Sequence, residues 1–140
     1  MTILDTNVVS ELLKPTPSDR VVRWLEAQPA PRLFTTTITV AEILYGVELL
    51  PTGKRRTGLR KAIEAIFSED FDGRILPFDF EAARAFSTIA AARRAMGRPM
   101  SQHDAQIAAI GSSRGAALAT RNTRDFADCG VTLLNPWGGR

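Results

Sequence analysis

The chain has 140 residues, 44% of them hydrophobic, a formal net charge of +3 and one cysteine. This length suits a single domain, residues 1–140, that needs neither a metal nor a disulfide simply to fold, and the lone Cys129 excludes an internal disulfide, which fits a reducing cytoplasm. No signal peptide is recognisable and no apolar stretch approaches the roughly 20 residues that cross a bilayer, while the mild positive charge is compatible with nucleic acid without demonstrating it.

Strand-like and helix-like stretches alternate along the chain, which favours a mostly parallel sheet covered by helices. Short apolar runs predict five strands: Thr2–Leu4, Leu33–Thr36, Ile75–Phe78, Ala116–Ala119 and Val131–Leu134. Helical spacing and cap residues predict six helices: Val8–Leu13, a second from Ser18 or Asp19 to about Gln28, Val40–Leu50 begun by Thr39, Arg55–Phe67, a long helix capped by Asp79 and reaching Met96, and Ser101–Arg114 ended by Gly115. Disorder is expected only in residues 138–140.

The first predicted strand ends abruptly in Asp5, followed by Thr6 and Asn7. Open parallel sheets build their sites where strands end, so this position suits a functional carboxylate. Asp is also a common helix cap, and position alone does not separate the two roles. Because Thr6 can cap the helix equally well, we predict that Thr6 is the cap and that Asp5 is free for other work.

Two further acids lie beside apolar helix faces. Glu42 has Ile38, Tyr45, Gly46 and Leu49 at helical spacing, and Gly46 leaves room for a close approach. Asp104 precedes Ile107, Ala108 and Gly111 in the same way. A partner cation or an exposed helix face would also explain Glu42, and the helix dipole would also explain Asp104.

Asp125 follows the fourth strand in a polar segment, at the same rim of the sheet as Asp5. It could instead be a loop acid paired to Arg121 or Arg124. Four carboxylates that meet at one rim repel each other and raise their pKa values unless a cation intervenes. An all-oxygen cluster suits Mg²⁺ or Mn²⁺, whereas one cysteine and one histidine cannot build the usual zinc sites.

Several other chemistries are excluded by missing residues. His103 is the only histidine, so a histidine pair cannot carry out acid–base cleavage. The chain has no phosphate-binding glycine motif and no nucleophile elbow. A dehalogenase-like phosphatase would need an acid where Asn7 stands, and a receiver domain would need a late lysine, whereas Lys14, Lys54 and Lys61 are all early. Metal-assisted attack by water on a phosphodiester remains.

Motifs in a fixed order carry a resemblance that runs essentially end to end. They are Ile3–Glu11, Ile38–Glu42, Arg74–Asp79, Asp104 ahead of Ile107–Ala109, Ala119–Asn122, and Leu134–Trp137. In this order the chain resembles the PIN-domain family, and within it the VapC/FitB-like toxins of bacterial type II toxin–antitoxin pairs.

The resemblance implies an α/β fold, a three-layer α/β/α sandwich around a mostly parallel five-stranded sheet, and a Mg²⁺-dependent endoribonuclease in which Mn²⁺ can substitute. It aligns Asp5, Glu42 and Asp104 with the family's three core acids, as catalytic residues and metal ligands. Asn122 stands where some relatives carry a fourth acid, and Asp125 offers a carboxylate three residues later. The residues expected to assist are Thr6 and Thr120 as hydroxyl support, and Arg121 and Arg124 as phosphate-binding cations.

The same resemblance implies a set of partners. They are an RNA substrate, a second copy of the chain in a homodimer, and a cognate VapB/FitA-like antitoxin whose C-terminal tail covers the acidic groove. Operator DNA is expected to be bound only through the antitoxin, and no membrane is involved. The alternative is a non-catalytic PIN-like module that binds antitoxin or RNA, which Asn122 in place of an acid leaves open.

Overall fold

A computed structural model describes residues 1–138 of the chain. Five strands form one sheet: β1 (Thr2–Leu4), β2 (Leu33–Thr36), β3 (Ile75–Leu76), β4 (Ala117–Ala119) and β5 (Leu133–Leu134). Their order is β3-β2-β1-β4-β5, and every neighbouring pair is parallel. The sheet expected to be mostly parallel is therefore parallel throughout.

Six α-helices connect and cover these strands: α1 (Thr6–Leu12), α2 (Asp19–Glu26), α3 (Thr37–Glu48), α4 (Lys54–Ala65), α5 (Phe80–Ala95) and α6 (Gln102–Arg114). Two single 3₁₀ turns, Ala30–Arg32 and Thr123–Phe126, precede β2 and follow β4. Gly115 ends α6 in the left-handed region, at φ 63°, where an L side chain would be strained.

Hydrophobic residues cover both faces of the sheet. Successive side chains of a strand point to opposite faces, so Ile3 packs with α5 and α6 while Leu4 packs with α1 to α4. Leu118 and Ala119 of the neighbouring strand divide in the same way. Two cores on either side of a parallel sheet make a three-layer α/β/α sandwich, which confirms the expected fold class.

The predicted element bounds differ from the structure by one or two residues at most ends. The clearest difference is at α3, which begins at Thr37 rather than near Thr39, because the Thr36 hydroxyl caps the helix by accepting from the Thr39 backbone N–H at 3.2 Å. The sequence predicts that helix α4 reaches Phe67, but its α-helical part ends at Ala65. A π-helical turn follows directly over Ile66–Asp70. At α3, the side-chain cap rather than the apolar pattern sets where the helix begins.

No helix among residues 1–138 is long and apolar enough to span a bilayer. Of the three residues expected to be disordered, Gly138 has a backbone hydrogen bond to Asn135, and 139–140 lie outside the described residues.

The strand order places a topological switch point between β1 and β4. The chain leaves β1 toward β2 and β3 on one side and later returns to β4 on the other side of β1. Connections therefore diverge at the ends of these two strands and open a crevice, which is where ligands bind in open α/β sheets. Asp5 follows β1 and Thr120 follows β4, so both lie at this crevice.

Candidate active site

Asp5 is buried at the switch point with both carboxylate oxygens engaged. Its side chain is 4% exposed. Oδ1 accepts from the backbone N–H of Thr6 at 2.8 Å, and Oδ2 accepts from the Thr120 hydroxyl at 2.8 Å. Asp5 is thus the N-cap of α1, and the prediction that Thr6 is the cap is wrong, because Thr6 already belongs to the helix. One carboxylate serves the helix and faces the crevice at the same time.

The Thr120 hydroxyl connects β4 to the crevice. Its single proton goes to Asp5, so its lone pairs are left to accept from the Asn122 backbone N–H at 3.0 Å and from Asn7 Nδ2 at 3.3 Å. Thr120 is fully buried, and the network orients Asp5 from the end of the neighbouring strand β4. Thr6 lies opposite, where its hydroxyl is 3.0 Å from that of Thr39 on α3.

Glu42 projects from α3 toward the same crevice and is half-buried. Burial raises the pKa of its carboxyl above the usual value, and the charge of Asp104 adds to this, while His103 opposes it. His103 Nδ1 lies 3.5 Å from Glu42 Oε1. Sequence reasoning missed this pair, because the contact joins α3 to α6 and no local pattern reports it.

Most of the apolar face that flanks Glu42 is exposed, although Ile38 packs against the core. Tyr45 is 65% exposed and Leu49 is 68% exposed, and a Cβ built on Gly46 would meet nothing within 4 Å. No part of the described chain approaches Gly46, so the close approach expected there stays a prediction. Instead, α3 presents an unpartnered apolar surface beside the acidic crevice.

Asp104 stands in the first turn of α6, which Ser101 caps through a 3.2 Å bond to the Asp104 backbone N–H. Burial raises the pKa of the Asp104 carboxyl, and the nearby Asp125 carboxylate raises it further. The effect of Asp125 on Asp104 indicates that the two negative charges lie near each other. Asp125 itself is exposed on the turn that follows β4.

One groove of about 440 Å³ collects the predicted residues. It is lined by Asp5, Thr6, Asn7, Ser10, Glu11, Lys14, Glu42, Asp104, Arg121, Asn122 and Trp137. Asp125 is not on it: Asp125 shares an adjoining cavity of about 210 Å³ with Asp104, Ser101 and Arg93. Arg124 is exposed on the turn after β4 and does not line the groove. Asp104 therefore belongs to both spaces and separates the other two core acids from Asp125.

Two lining residues missed in the sequence already have a structural role. Glu11 is buried, and it accepts from Lys14 Nζ and from the Ser18 backbone N–H, both at 2.9 Å. The hydrogen bond from Lys14 holds the pKa of Glu11 below its usual range. Glu11 thus ties α1 to the start of α2, and Lys14 brings a positive charge to the groove wall.

Arg93 is a further residue whose role the sequence did not indicate. It is 5% exposed on α5, and its guanidinium donates to the carbonyls of Arg98, Asp125 and Ala127, each at 2.9 Å. It also donates to the Cys129 sulfur at 3.5 Å, and Cys129 is buried. Through the carbonyls of Arg98 and Asp125, Arg93 links the segment before α6 to the turn after β4. The helix α6 carries Asp104, and the turn carries Asp125.

The donor set of the groove fits a hydrated divalent cation. All the acidic ligands would bind through oxygen atoms. Burial and the charges of neighbouring acids raise the pKa values of Asp5, Glu42 and Asp104, so a cation would relieve that repulsion. Within residues 1–138 no three acidic, histidine or cysteine side chains are close enough to coordinate one ion directly. Mg²⁺ characteristically keeps several waters and takes only one or two carboxylates, which suits this spacing.

A different groove of similar size, about 410 Å³, lies among α1, α2 and β2. Aliphatic side chains such as Leu12, Val22 and Leu25 dominate its wall. It brings no cluster of acids together, so we assign the chemistry to the polar groove.

The fold and the groove together define an α/β/α protein with an acidic site at the switch point of a parallel sheet. The sequence matches the family model of the PIN domain over residues 2–131. VapC ribonuclease Y4jK of Sinorhizobium fredii is 39% identical over 137 residues, covering 98% of each chain, and toxin FitB of Neisseria gonorrhoeae is 39% identical over 98% of this chain and 99% of FitB. The chain belongs to the PIN-domain family.

Solved structures agree with this assignment. A structure of FitAB bound to an IR36 DNA fragment contains a chain 38% identical to this one, with a TM-score of 0.92, covering 100% of this chain and 98% of that one. DNA-bound VapBC from Salmonella typhimurium is 26% identical, with a TM-score of 0.77, over 96% and 97% of the two chains. The expected resemblance to the VapC/FitB group is confirmed.

Proposed function

We propose that this chain, acting as one domain in the cytoplasm, is a Mg²⁺-dependent endoribonuclease toxin of a type II toxin–antitoxin module, with Mn²⁺ able to substitute. The observation that carries the proposal is the convergence of Asp5, Glu42 and Asp104 on one groove at the switch point. Relatives of nearly equal length are named VapC ribonuclease and toxin FitB, and others are named tRNA(fMet)-specific endonuclease VapC.

Asp5, Glu42 and Asp104 would hold the cation partly through its bound waters, and Asp125 would contribute from the Asp104 side. A bound divalent cation lowers the pKa of water and neutralises charge that develops on the phosphate. The chain's own contribution is orientation: Thr120 and the Thr6 N–H fix the two Asp5 oxygens. The Thr6 and Thr39 hydroxyls join α1 to α3, which carries Glu42.

Cations on the groove wall support an RNA substrate. Lys14 and Arg121 both line the groove, where they would offset the repulsion between the carboxylates and a phosphate backbone. Arg124 lies one turn away on the surface, so its contact with phosphate remains a prediction. Asn122 lines the groove with a neutral amide, and any fourth carboxylate has to come from Asp125.

An antitoxin of the VapB/FitA type is the proposed partner. Structures with chains similar to this one are of FitAB and VapBC complexes, some of them bound to DNA. The exposed Tyr45 and Leu49 lie on α3 next to the groove, so an apolar segment docked there could extend a tail over the acids. We further propose a homodimer of this chain, with operator DNA contacted only by the antitoxin.

The direct test is cleavage of transfer, ribosomal and messenger RNA by antitoxin-free protein. We expect cutting with Mg²⁺ or Mn²⁺, none with EDTA, and a strong loss in Asp104→Asn because this acid lines both cavities. The control is Asp72→Asn, which removes one exposed acid away from the groove. Cutting that resists EDTA and survives Asp104→Asn would contradict the metal mechanism. A folded protein that cuts no RNA would favour the binding-module alternative.

Metal binding should also be visible without activity. Mg²⁺ relieves the repulsion that raises the pKa values of Asp5, Glu42 and Asp104, so it binds the folded state selectively. A cation present at about 100 times its Kd stabilises the fold by about 2.7 kcal/mol. We therefore expect differential scanning calorimetry to show a rise in Tm with MgCl₂ at constant ionic strength. The rise should shrink in Glu42→Gln and persist in Asp72→Asn; an equal rise in both variants would place the bound ion elsewhere.

A further inference from the structure

We propose that Arg121 and Trp137 form a stacking platform that holds one unpaired nucleobase of the RNA beside the acidic groove. This inference rests on the proposed ribonuclease function and names how that site recognises its substrate. It gives a binding role to Trp137, a residue that takes no part in the proposed metal binding or cleavage.

The two side chains are stacked on the groove wall. The guanidinium carbon of Arg121 lies 5.1 Å from the centroid of the Trp137 ring. Both residues line the groove that contains Asp5, Glu42 and Asp104. The pair is therefore next to the carboxylates at which the RNA backbone would be cut.

Trp137 is held in place from two directions. Its ring packs against the hydrophobic core on the α1–α4 side of the sheet. Its backbone N–H donates to Asn135 Oδ1 at 2.9 Å, and its carbonyl accepts from Arg20 Nη1 at 2.8 Å. A half-buried indole fixed in this way gives the guanidinium a rigid surface to lie on.

Arg121 is available for a ligand. It is exposed, and across residues 1–138 no carboxylate forms an ion pair with it within 4.0 Å. The nearby Glu11 is already engaged by Lys14 and Ser18. The backbone N–H of Arg121 donates to Asn7 Oδ1 at 3.3 Å, which fixes the Arg121 backbone. The stack on Trp137 thus orients a planar cation that has no carboxylate partner.

Unpaired bases in RNA are recognised by stacking on aromatic rings or on arginine planes. A platform of this kind requires bases that are splayed out, so it selects loops and single strands over duplexes. Lys14 already supplies a compact charge on the same wall, whereas Arg121 adds a flat surface that lysine lacks. The geometry therefore favours a base over a phosphate as the ligand of Arg121.

The test combines removal of the Arg121 side chain with removal of single RNA bases, and it asks whether the two effects on KM are additive. Single abasic residues are scanned through a short unpaired RNA that wild type cleaves with Mg²⁺. At one position near the cut, we expect the abasic residue to raise KM by on the order of tenfold, and Arg121→Ala to do the same on intact RNA. On RNA abasic at that position, Arg121→Ala should have no further effect. Arg84→Ala is the matched control, since it removes an exposed arginine of α5 that lies outside the groove.

A persistent effect of Arg121→Ala on every abasic RNA would overturn the platform and assign Arg121 to a phosphate. Failure of the wild type to cut any RNA would instead overturn the proposed function, so the two failures are distinguishable. Because removing Trp137 could unfold the segment, Trp137→Phe and Trp137→Leu are compared. The aromatic variant should retain tight binding and the aliphatic variant should lose it.

Binding can be read without cleavage in the inactive Asp5→Asn chain. The protein has two tryptophans, and Trp24 on α2 does not line the groove. With Trp24→Phe in the same chain, Trp137 is the only source of tryptophan fluorescence. We expect an unpaired oligonucleotide to quench this fluorescence and an abasic sugar–phosphate oligomer to leave it unchanged. Equal quenching by both would contradict base stacking.

Discussion

Asp5→Asn should abolish RNA cleavage and yet spare the metal-free protein the loss of stability that wild type shows as the pH rises through about 6. Activity is lost because the amide cannot serve as an anionic ligand. Loss of even an outer-shell partner costs about 10–100-fold in metal affinity or activity, so we expect a fall of roughly a hundredfold or more. The amide oxygen can still accept from the Thr6 N–H, which preserves the helix cap.

The effect on stability follows from the pKa of Asp5. Burial raises this pKa from 3.8 to about 6, against the hydrogen bonds from Thr120 and Thr6 that lower it. The folded state therefore holds the proton more tightly than the unfolded state. The contribution of Asp5 is fully present below pH 3.8 and is lost as the pH rises through about 6, at a total cost of about 3 kcal/mol in the metal-free protein.

Urea unfolding in EDTA from pH 4 to pH 8 measures this difference. The free energy of unfolding of wild type should fall relative to that of Asp5→Asn across the range. Both proteins retain some slope, since the pKa values of Glu42 and Asp104 are also raised. Asp72→Asn controls for the loss of an exposed acid. A parallel pH dependence in wild type and Asp5→Asn would mean that Asp5 titrates normally.

Arg93→Leu should lower the free energy of unfolding by on the order of 4 kcal/mol. The buried guanidinium is the donor for the carbonyls of Arg98, Asp125 and Ala127. Leucine removes three hydrogen bonds from a charged donor, which are worth about 1.5–3 kcal/mol each in general. The acceptors belong to exposed or half-buried residues, so water offsets part of this loss. The charge has no carboxylate within 4.0 Å in the described part of the chain, so its value lies in these hydrogen bonds.

Chemical denaturation with urea checks this prediction, and Arg94→Leu is the matched control on the exposed side of the same helix. Arg93→Lys should be intermediate, because an ammonium cannot reproduce the planar fork of guanidinium donors. Cleavage by the folded fraction should also fall, since the carbonyl of Asp125 is one of the acceptors. Equal stability of the two leucine variants would show that the Arg93 bonds contribute nothing net.

Much of the fold and part of the site could be predicted from local patterns. Five strands and six helices were placed within a few residues, because apolar periodicity and cap residues act over one or two turns. The acids that end or follow strands were recognised from the same patterns. The errors are also local: Thr36 caps α3 and Asp5 caps α1, since several neighbouring residues could do so and packing decides among them.

By itself, the sequence determined the class of fold from residue types at short spacing. It determined the family and the three core acids through motifs whose order along the whole chain resembles PIN domains. Only the tertiary structure decided how those acids are held. The Thr120–Asp5 bond spans 115 residues, the Arg93–Asp125 bond spans 32, and the Arg121–Trp137 stack joins the loop after β4 to the segment after β5. These contacts exist because β1 lies between β2 and β4, with β5 beside β4. The packing of the sheet and its helices brings these distant residues together, and no local sequence pattern reports such contacts.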